Sequence, residues 1–227
     1  MTEHEPTPAR ICYQQAAEVA SALASAPRLR LMNLIAQTPR GVDELAALMG
    51  QSKATTSAQL KVLRDAGLLI REARGRRRLH RVASDAALAL FLAHRDFALN
   101  HSARVRERMR RAEEQAPLIH EGPRELAVAV NEGTTRMLDL RPAKEWLFAH
   151  PAGAQNLPFE TLDEQLEGLS RDAHYAVFCR GPVCAKAIEG TAKLRAFGLD
   201  ARRVPEGIAD WRLAGLPVTT QTTEEAA

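Results

Sequence analysis

Cys179 and Cys184 stand five residues apart in VFCRGPVCAKA (Val177–Ala187), where an apolar run gives way to a short loop and then to a helix-forming stretch. A cysteine between a strand's end and a helix's start faces backbone N–H groups and the positive end of the helix dipole, both of which favour an anion. Such surroundings lower a thiol's pKa and make it nucleophilic at neutral pH. Cys179 is therefore expected to be the most acidic thiol of the chain, able to hold a thiolate or a persulfide. Arg180 is the loop's cation, either a lure for a small sulfur anion or a merely exposed side chain. Cys184 is either a second thiol that attacks sulfur loaded on Cys179 or a small buried anchor of the loop; attack requires it to be reachable and partly ionised. Pro182 removes one possible N–H donor from the loop. Cys12 reads as a spectator.

A second chemistry lies in the first half. Ser52, Lys53, Thr55, Thr56, Ser57, Gln59 and Lys61 cluster at the start of a helical stretch. Hydroxyls and Gln reach base edges or phosphates, and lysines suit phosphates. Ala54, Leu60, Leu63 and Ala66 are assigned to packing. Six arginines then fall within eleven residues: Arg71, Arg74, Arg76, Arg77, Arg78 and Arg81. A basic hairpin of this kind can follow a phosphate backbone or enter a minor groove. Arg74, Arg76, Arg77 and Arg78, with the polar helix, are the expected DNA contacts.

The charge distribution agrees. Residues 1–115 carry 19 Lys and Arg against 12 Asp and Glu, a net of +7; residues 116–227 carry 12 against 16, a net of −4, within an overall +3. One half is built to face a polyanion and the other is not. The 227 residues suffice for two domains. No apolar run reaches the ~20 residues of a membrane helix, and MTEHEPTPAR is too polar for a signal peptide. Three dispersed cysteines make no secreted disulfide framework, so a cytoplasmic location is expected.

The elements that must position these residues follow from periodicity. Residues 1–12 read as a flexible tail, Tyr13–Ser25 and Arg28–Ala36 as helices, and Val42–Leu48 as a short helix closed by Gly50. Ser52 caps a helix from Lys53 to Ala66. Leu68–Arg71 and Leu79–Val82 form a hairpin, and Ser84-Asp85 starts one long helix that continues through RVRERMRRAEEQ. The periodicity breaks in Ala116–Pro123, the expected linker. Beyond it, strands at Met137–Leu140 and Tyr175–Phe178 alternate with helices at Lys144–Phe148, Thr161–Leu169 and Ala185–Phe197, an α/β pattern with a mostly parallel sheet. The expected division is 1–12 tail, 13–115 DNA-binding and dimerisation domain, 116–123 linker, 124–219 α/β domain and 220–227 tail.

The stretch ALASAPRLRLMNLIAQTPRGVDELAALMGQSKATTSAQLKVLRDAGLL, with the basic hairpin and the following helix, closely resembles the ArsR/SmtB regulators. That resemblance implies a mainly α winged helix-turn-helix, a homodimer joined through its first and last helices, and repression at a palindromic double-stranded DNA operator. The metal-sensing cysteines of the family have no counterpart at Gly41-Val42-Asp43. Asp85, His94, Asp96 and His101 stand on the last helix, but Ala87 and Ala98 occupy the places of other ligands, so no metal is expected. Asn33 stands where persulfide-sensing members carry a cysteine.

MLDLRPAKEW (Met137–Trp146), AHPAGAQNLP (Ala149–Pro158), the Cys179 loop and EGIADWRLAGLPV (Glu206–Val218) fall in the order of a rhodanese domain. By that resemblance Cys179 is the sulfur-accepting cysteine and no cofactor is needed. Ala185 replaces the arginine of rhodanese-like phosphatases. Asp139 and Arg141 read as a structural ion pair before site residues. The leading reading is a dimeric regulator whose rhodanese-like domain holds sulfane sulfur from thiosulfate, polysulfide or persulfide on Cys179. The alternatives are a thiosulfate or persulfide sulfurtransferase tethered to a DNA-binding module, and an idle rhodanese domain that binds a non-sulfur ligand such as an oxyanion.

Overall fold

The computed structural model describes residues 7–220. Two compact units meet in sequence at Phe91–Leu92. That junction lies inside a helix, earlier than the compositional break at 116–123.

In the first unit, α1 (Pro8–Leu23) begins five residues before its expected start. Thr7 caps it, its side chain accepting from Arg10 N, and Pro8 supplies a preset helical φ at the first position. Residues 8–12 are thus helical and not a loose tail, while residues 1–6 of the expected tail, and residues 221–227, lie outside the described residues. Next come α2 (Ala26–Gln37), α3 (Val42–Met49) and α4 (Lys53–Asp65). Gly50 ends α3 at φ +64°, a left-handed geometry that favours glycine. Leu31, Met32, Leu45, Leu60 and Leu63 are fully buried and form the core under these helices. The wing is the antiparallel pair β1 (Leu69–Arg74) and β2 (Arg77–Val82).

Helix α5 (Asp85–His101) follows the wing and spans the junction. It does not run on as expected: Ser102 takes extended geometry and its side chain caps α6 (Ala103–Gln115) through Val105 N. A serine at that place competes for backbone bonds and starts a new helix.

The second unit is a four-stranded parallel sheet. Its elements run α7 (Pro123–Asn131), β3 (Thr135–Asp139), α8 (Ala143–Phe148), β4 (His150–Pro151), β5 (Gln155–Asn156), α9 (Leu162–Gln165), β6 (His174–Phe178), α10 (Ala185–Ala196), β7 (Asp200–Arg203), α11 (Ile208–Leu213) and β8 (Val218–Thr219). The sheet order is β5-β3-β6-β7, while β4 and β8 form a separate antiparallel pair. Side chains alternate across the sheet: Met137, Ala176 and Phe178 enter one core with Trp211, while Leu138, Tyr175 and Val177 enter the other with Leu194. Burial on both faces is what a helix-flanked parallel sheet requires. Thr161–Leu169 is a short α9 between two 3₁₀ turns and not one regular helix. The expected linker also contributes to the sheet. Leu118 bridges Arg203 in parallel, with Arg203 N donating to Pro117 O at 2.8 Å and Ile119 N to Arg203 O at 3.0 Å.

Candidate functional site

The candidate DNA face is built by α4 and the wing. Ser52 caps α4 by accepting from Thr55 N at 3.1 Å. Lys53, Thr55, Ser57 and Lys61 are exposed along one side of the helix, together with Ala54, Ala58 and Val62. Thr56 is a correction to the expected contact set: it is fully buried, with a hydroxyl that has no partner, and it cannot reach a groove. Ala54, assigned to packing, is exposed in its place. Leu60 and Leu63 are buried as expected; polarity alone misplaced Thr56, because a threonine methyl fits a core as readily as an alanine does. Gln59 is half-buried and accepts from Arg28 Nη1 at 3.1 Å, which ties it to α2. In the wing, Arg74 and Arg81 both pair with Glu72, while Arg76, Arg77 and Arg78 are exposed at and beside its tip.

The candidate cysteine site lies at the C-terminal end of β6, where ligand crevices of open parallel sheets form. Cys179 directly follows the strand, and Cys184 is the N-cap of α10. A tight turn closes the loop, Cys184 N donating to Gly181 O at 3.2 Å, with Gly181 at φ +103°. The two sulfurs are thereby brought to 2.9 Å. Cys179 is buried and Cys184 only half so.

Acidity follows this arrangement, and it reverses the expected order. The hydrogen bond shared with Cys179 is the largest influence on Cys184; burial opposes it, while the N–H groups of Arg180 and Ala187 and the Arg180 charge assist. Together they lower the Cys184 thiol to about 6. The same bond pushes the Cys179 thiol up, and its own burial pushes it further. The helix start favours an anion as foreseen, but the sulfur seated on it is Cys184.

Arg180 is neither a free lure nor a merely exposed side chain. Its guanidinium grips the buried Glu145 through two bonds, Nη2 to Oε1 at 2.6 Å and Nε to Oε2 at 2.9 Å. Asp139 and Arg141 form a wholly buried ion pair, extended by Arg141 Nη2 to Ala149 O at 2.8 Å. Arg141 also lies 5.2 Å over the Phe178 ring, so the pair braces the strand ends below the loop. Sequence reading missed three residues around this loop. Arg203 is fully buried, and its Nη1 donates to Pro182 O at 2.9 Å while Nε and Nη2 have no partner. Arg95 and Asp210 form an ion pair at 2.6 Å beside Gly181. An isolated arginine in a short strand gives no sequence signal of such a place. Among the described residues, no three His, Cys, Asp or Glu side chains converge as a metal site, and no helix is long and apolar enough to cross a membrane.

Residues 26–71 match the family model for the bacterial regulatory protein, arsR family, and residues 122–214 match the rhodanese-like domain. The chain is 33% identical over 211 residues to the HTH-type transcriptional regulator Rv0324 of Mycobacterium tuberculosis, covering 90% of each. Among solved structures, a homodimeric winged helix-turn-helix DNA-binding domain from Mycobacterium bovis is 29% identical, covering 45% of this chain and 95% of that one, with a TM-score of 0.42. A rhodanese-related protein from Thermoplasma volcanium is 30% identical over 41% of this chain and 93% of that one, with a TM-score of 0.36.

Proposed function

Since the chain belongs to the ArsR family of bacterial regulatory proteins, and is a transcriptional regulator with a C-terminal rhodanese-like domain, we propose that it binds operator DNA as a cytoplasmic homodimeric repressor and changes affinity when sulfane sulfur reaches Cys179 and Cys184. The 2.9 Å approach of the two sulfurs carries the sensing part. The dimer has support in exposed apolar side chains, Ile11 and Tyr13 on α1 and Phe97 on α5, which a partner chain would cover. DNA contact rests on Lys53, Thr55, Ser57 and Lys61 with Arg76, Arg77 and Arg78.

The chemistry balances with thiosulfate or polysulfide as the sulfur source. The Cys184 thiolate attacks the outer sulfur of thiosulfate, the old S–S bond breaks, and sulfite leaves with its electron pair; Cys184 then carries a persulfide anion. Cys179 lies against that persulfide. Transfer of the terminal sulfur to Cys179, with its proton passing to Cys184, leaves a persulfide on Cys179. Attack by the Cys179 sulfur on Cys184 Sγ instead forms a disulfide, and the terminal sulfur departs with the Cys179 proton as hydrosulfide. The two cysteine sulfurs are then oxidised and the sulfane sulfur reduced. Both routes replace or remove the thiolate charge at the start of α10.

The test is intact mass and DNA affinity of the full-length protein before and after sodium tetrasulfide. The expected result is a gain of sulfur mass, or a loss of two hydrogens, confined to Cys179 and Cys184 and accompanied by a change in DNA affinity. Modification with unchanged affinity would remove the sensing role.

A further inference from the structure

The Cys179–Cys184 loop runs beside two arginines, Arg95 of α5 at Gly181 and Arg203 of β7 at Pro182. The first of these approaches is at Gly181. A methyl group built there would lie 3.5 Å from Arg95 Nη1, 3.8 Å from Gly207 N and 3.9 Å from Asp210 Oδ2. These three atoms are themselves joined. Arg95 donates to both Asp210 oxygens, at 2.6 and 3.2 Å, and Asp210 Oδ2 accepts from Gly207 N at 2.9 Å. Gly207 in turn abuts the loop backbone so closely that a methyl group on it would come within 3.0 Å of Arg180 C and Gly181 N. Arg95 stands on α5, the helix that starts three residues after the wing strand β2.

The second is at Pro182. Arg203 Nη1 donates to Pro182 O at 2.9 Å, and the same residue's backbone binds the connecting segment through Pro117 O and Ile119 N. Arg203 is fully buried, and Nε and Nη2 are unpartnered. Among the described residues, Pro182 O is thus the one hydrogen-bond partner of this buried guanidinium, and a shift of that carbonyl leaves the guanidinium unsatisfied in the interior, a costly state.

We propose that Arg95 and Arg203 form a clasp that reads the bonding state of the two cysteines and passes it to α5 and to the 116–119 segment. The inference rests on the sulfur-sensing function proposed above. Linking the sulfurs shortens their separation from 2.9 Å toward the ~2.05 Å of a disulfide. An inserted sulfur atom lengthens it instead. Either change must be absorbed by the four residues between the cysteines, and Gly181 and Pro182 are the two that the clasp holds. Coupling of this kind requires a differential contact in the two states, and the Arg95–Asp210 and Arg203–Pro182 contacts supply it.

The experiment uses full-length wild type, Arg95→Gln and Arg203→Lys. The DNA probe is a duplex selected from a random pool by untreated wild type, and sodium tetrasulfide is the sulfur source. Intact mass reports loading and fluorescence anisotropy reports affinity, with thermal unfolding as the check on folding. Wild type is expected to load sulfur and change affinity about ten-fold. Arg95→Gln is expected to load equally and respond less than about two-fold, and Arg203→Lys to behave in the same direction. A full wild-type response in Arg95→Gln and in Arg203→Lys overturns the clasp and leaves the functional reading intact. Wild type that fails to load, or loads without a change in affinity, overturns the functional reading and the clasp together.

Discussion

Cys184 is the residue on which the proposed sulfur chemistry turns. Its thiol is lowered to about 6, first by the bond from Cys179 and then by the N–H groups and charge around it. At pH 7 it is expected to be alkylated by iodoacetamide ahead of Cys179, with a rate that rises through pH 6 and then levels. Cys179→Ala removes the principal stabilising donor, so the inflection for Cys184 is expected to move to higher pH. Site-resolved mass spectrometry checks both, and first alkylation at Cys179 would contradict them. The spacing of the two cysteines and their loop-then-helix setting were legible in the sequence. Their order of acidity was not, because spacing does not reveal that Cys179 is enclosed while Cys184 sits on the helix start. Arg180 was misread for a similar reason: its partner Glu145 is 35 residues away. His80 offers a separate check. Burial, followed by the charges of Arg64 and Arg71, lowers it to about 4, below the ~6.5 of an unfolded chain. Between those values the unfolded state binds the extra proton, so stability is full above pH 6.5 and falls as pH drops toward 4. Urea denaturation is expected to show a His80-dependent loss of about 2–3 kcal/mol between pH 7 and pH 4, and His80→Leu should remove that part.

At the scale of elements, the proposed DNA contacts divide between α4 and the wing. The wing arginines are expected to act on phosphates, so replacing Arg76, Arg77 and Arg78 with Gln should weaken binding to all sequences. Each lost contact should flatten the log–log salt slope by about 0.9. Ser57→Ala on α4 should instead alter base preference at a salt slope close to wild type. Thr56→Val separates the buried position from its exposed neighbours. It removes an unpartnered buried hydroxyl, so DNA affinity should hold while stability stays level or rises by up to ~1 kcal/mol. Competition binding with substituted duplexes and urea denaturation measure these outcomes. Helix boundaries were legible where a cap or a left-handed glycine marks them, as at Ser52 and Gly50. The break at Ser102 was not, because the apolar and charged pattern on either side reads as one helix. The α7 helix went unread because it starts at the Gly122-Pro123 break, and strand β7 because Asp-Ala-Arg-Arg is polar in sequence although Arg203 is buried.

At the scale of the molecule, the two halves carry different chemistries on one chain, and the charge asymmetry between them was legible from composition. The compact units divide within α5, and residues 117–119 join the sheet edge beside β7. The prolines and glycine of Ala116–Pro123 masked the fact that Leu118 and Ile119 between them extend a sheet. The buried Asp139–Arg141 pair ties the strand ends under the sulfur loop, and removing one partner leaves a charge uncompensated. The most direct measurement compares DNA affinity of full-length wild type and Cys184→Ala before and after sodium tetrasulfide, with intact mass read in parallel. Wild type is expected to change affinity about ten-fold as its cysteine pair is modified, and Cys184→Ala to keep its starting affinity. An equal change in Cys184→Ala, or modified wild type with unchanged affinity, would contradict control of DNA binding by the cysteine pair.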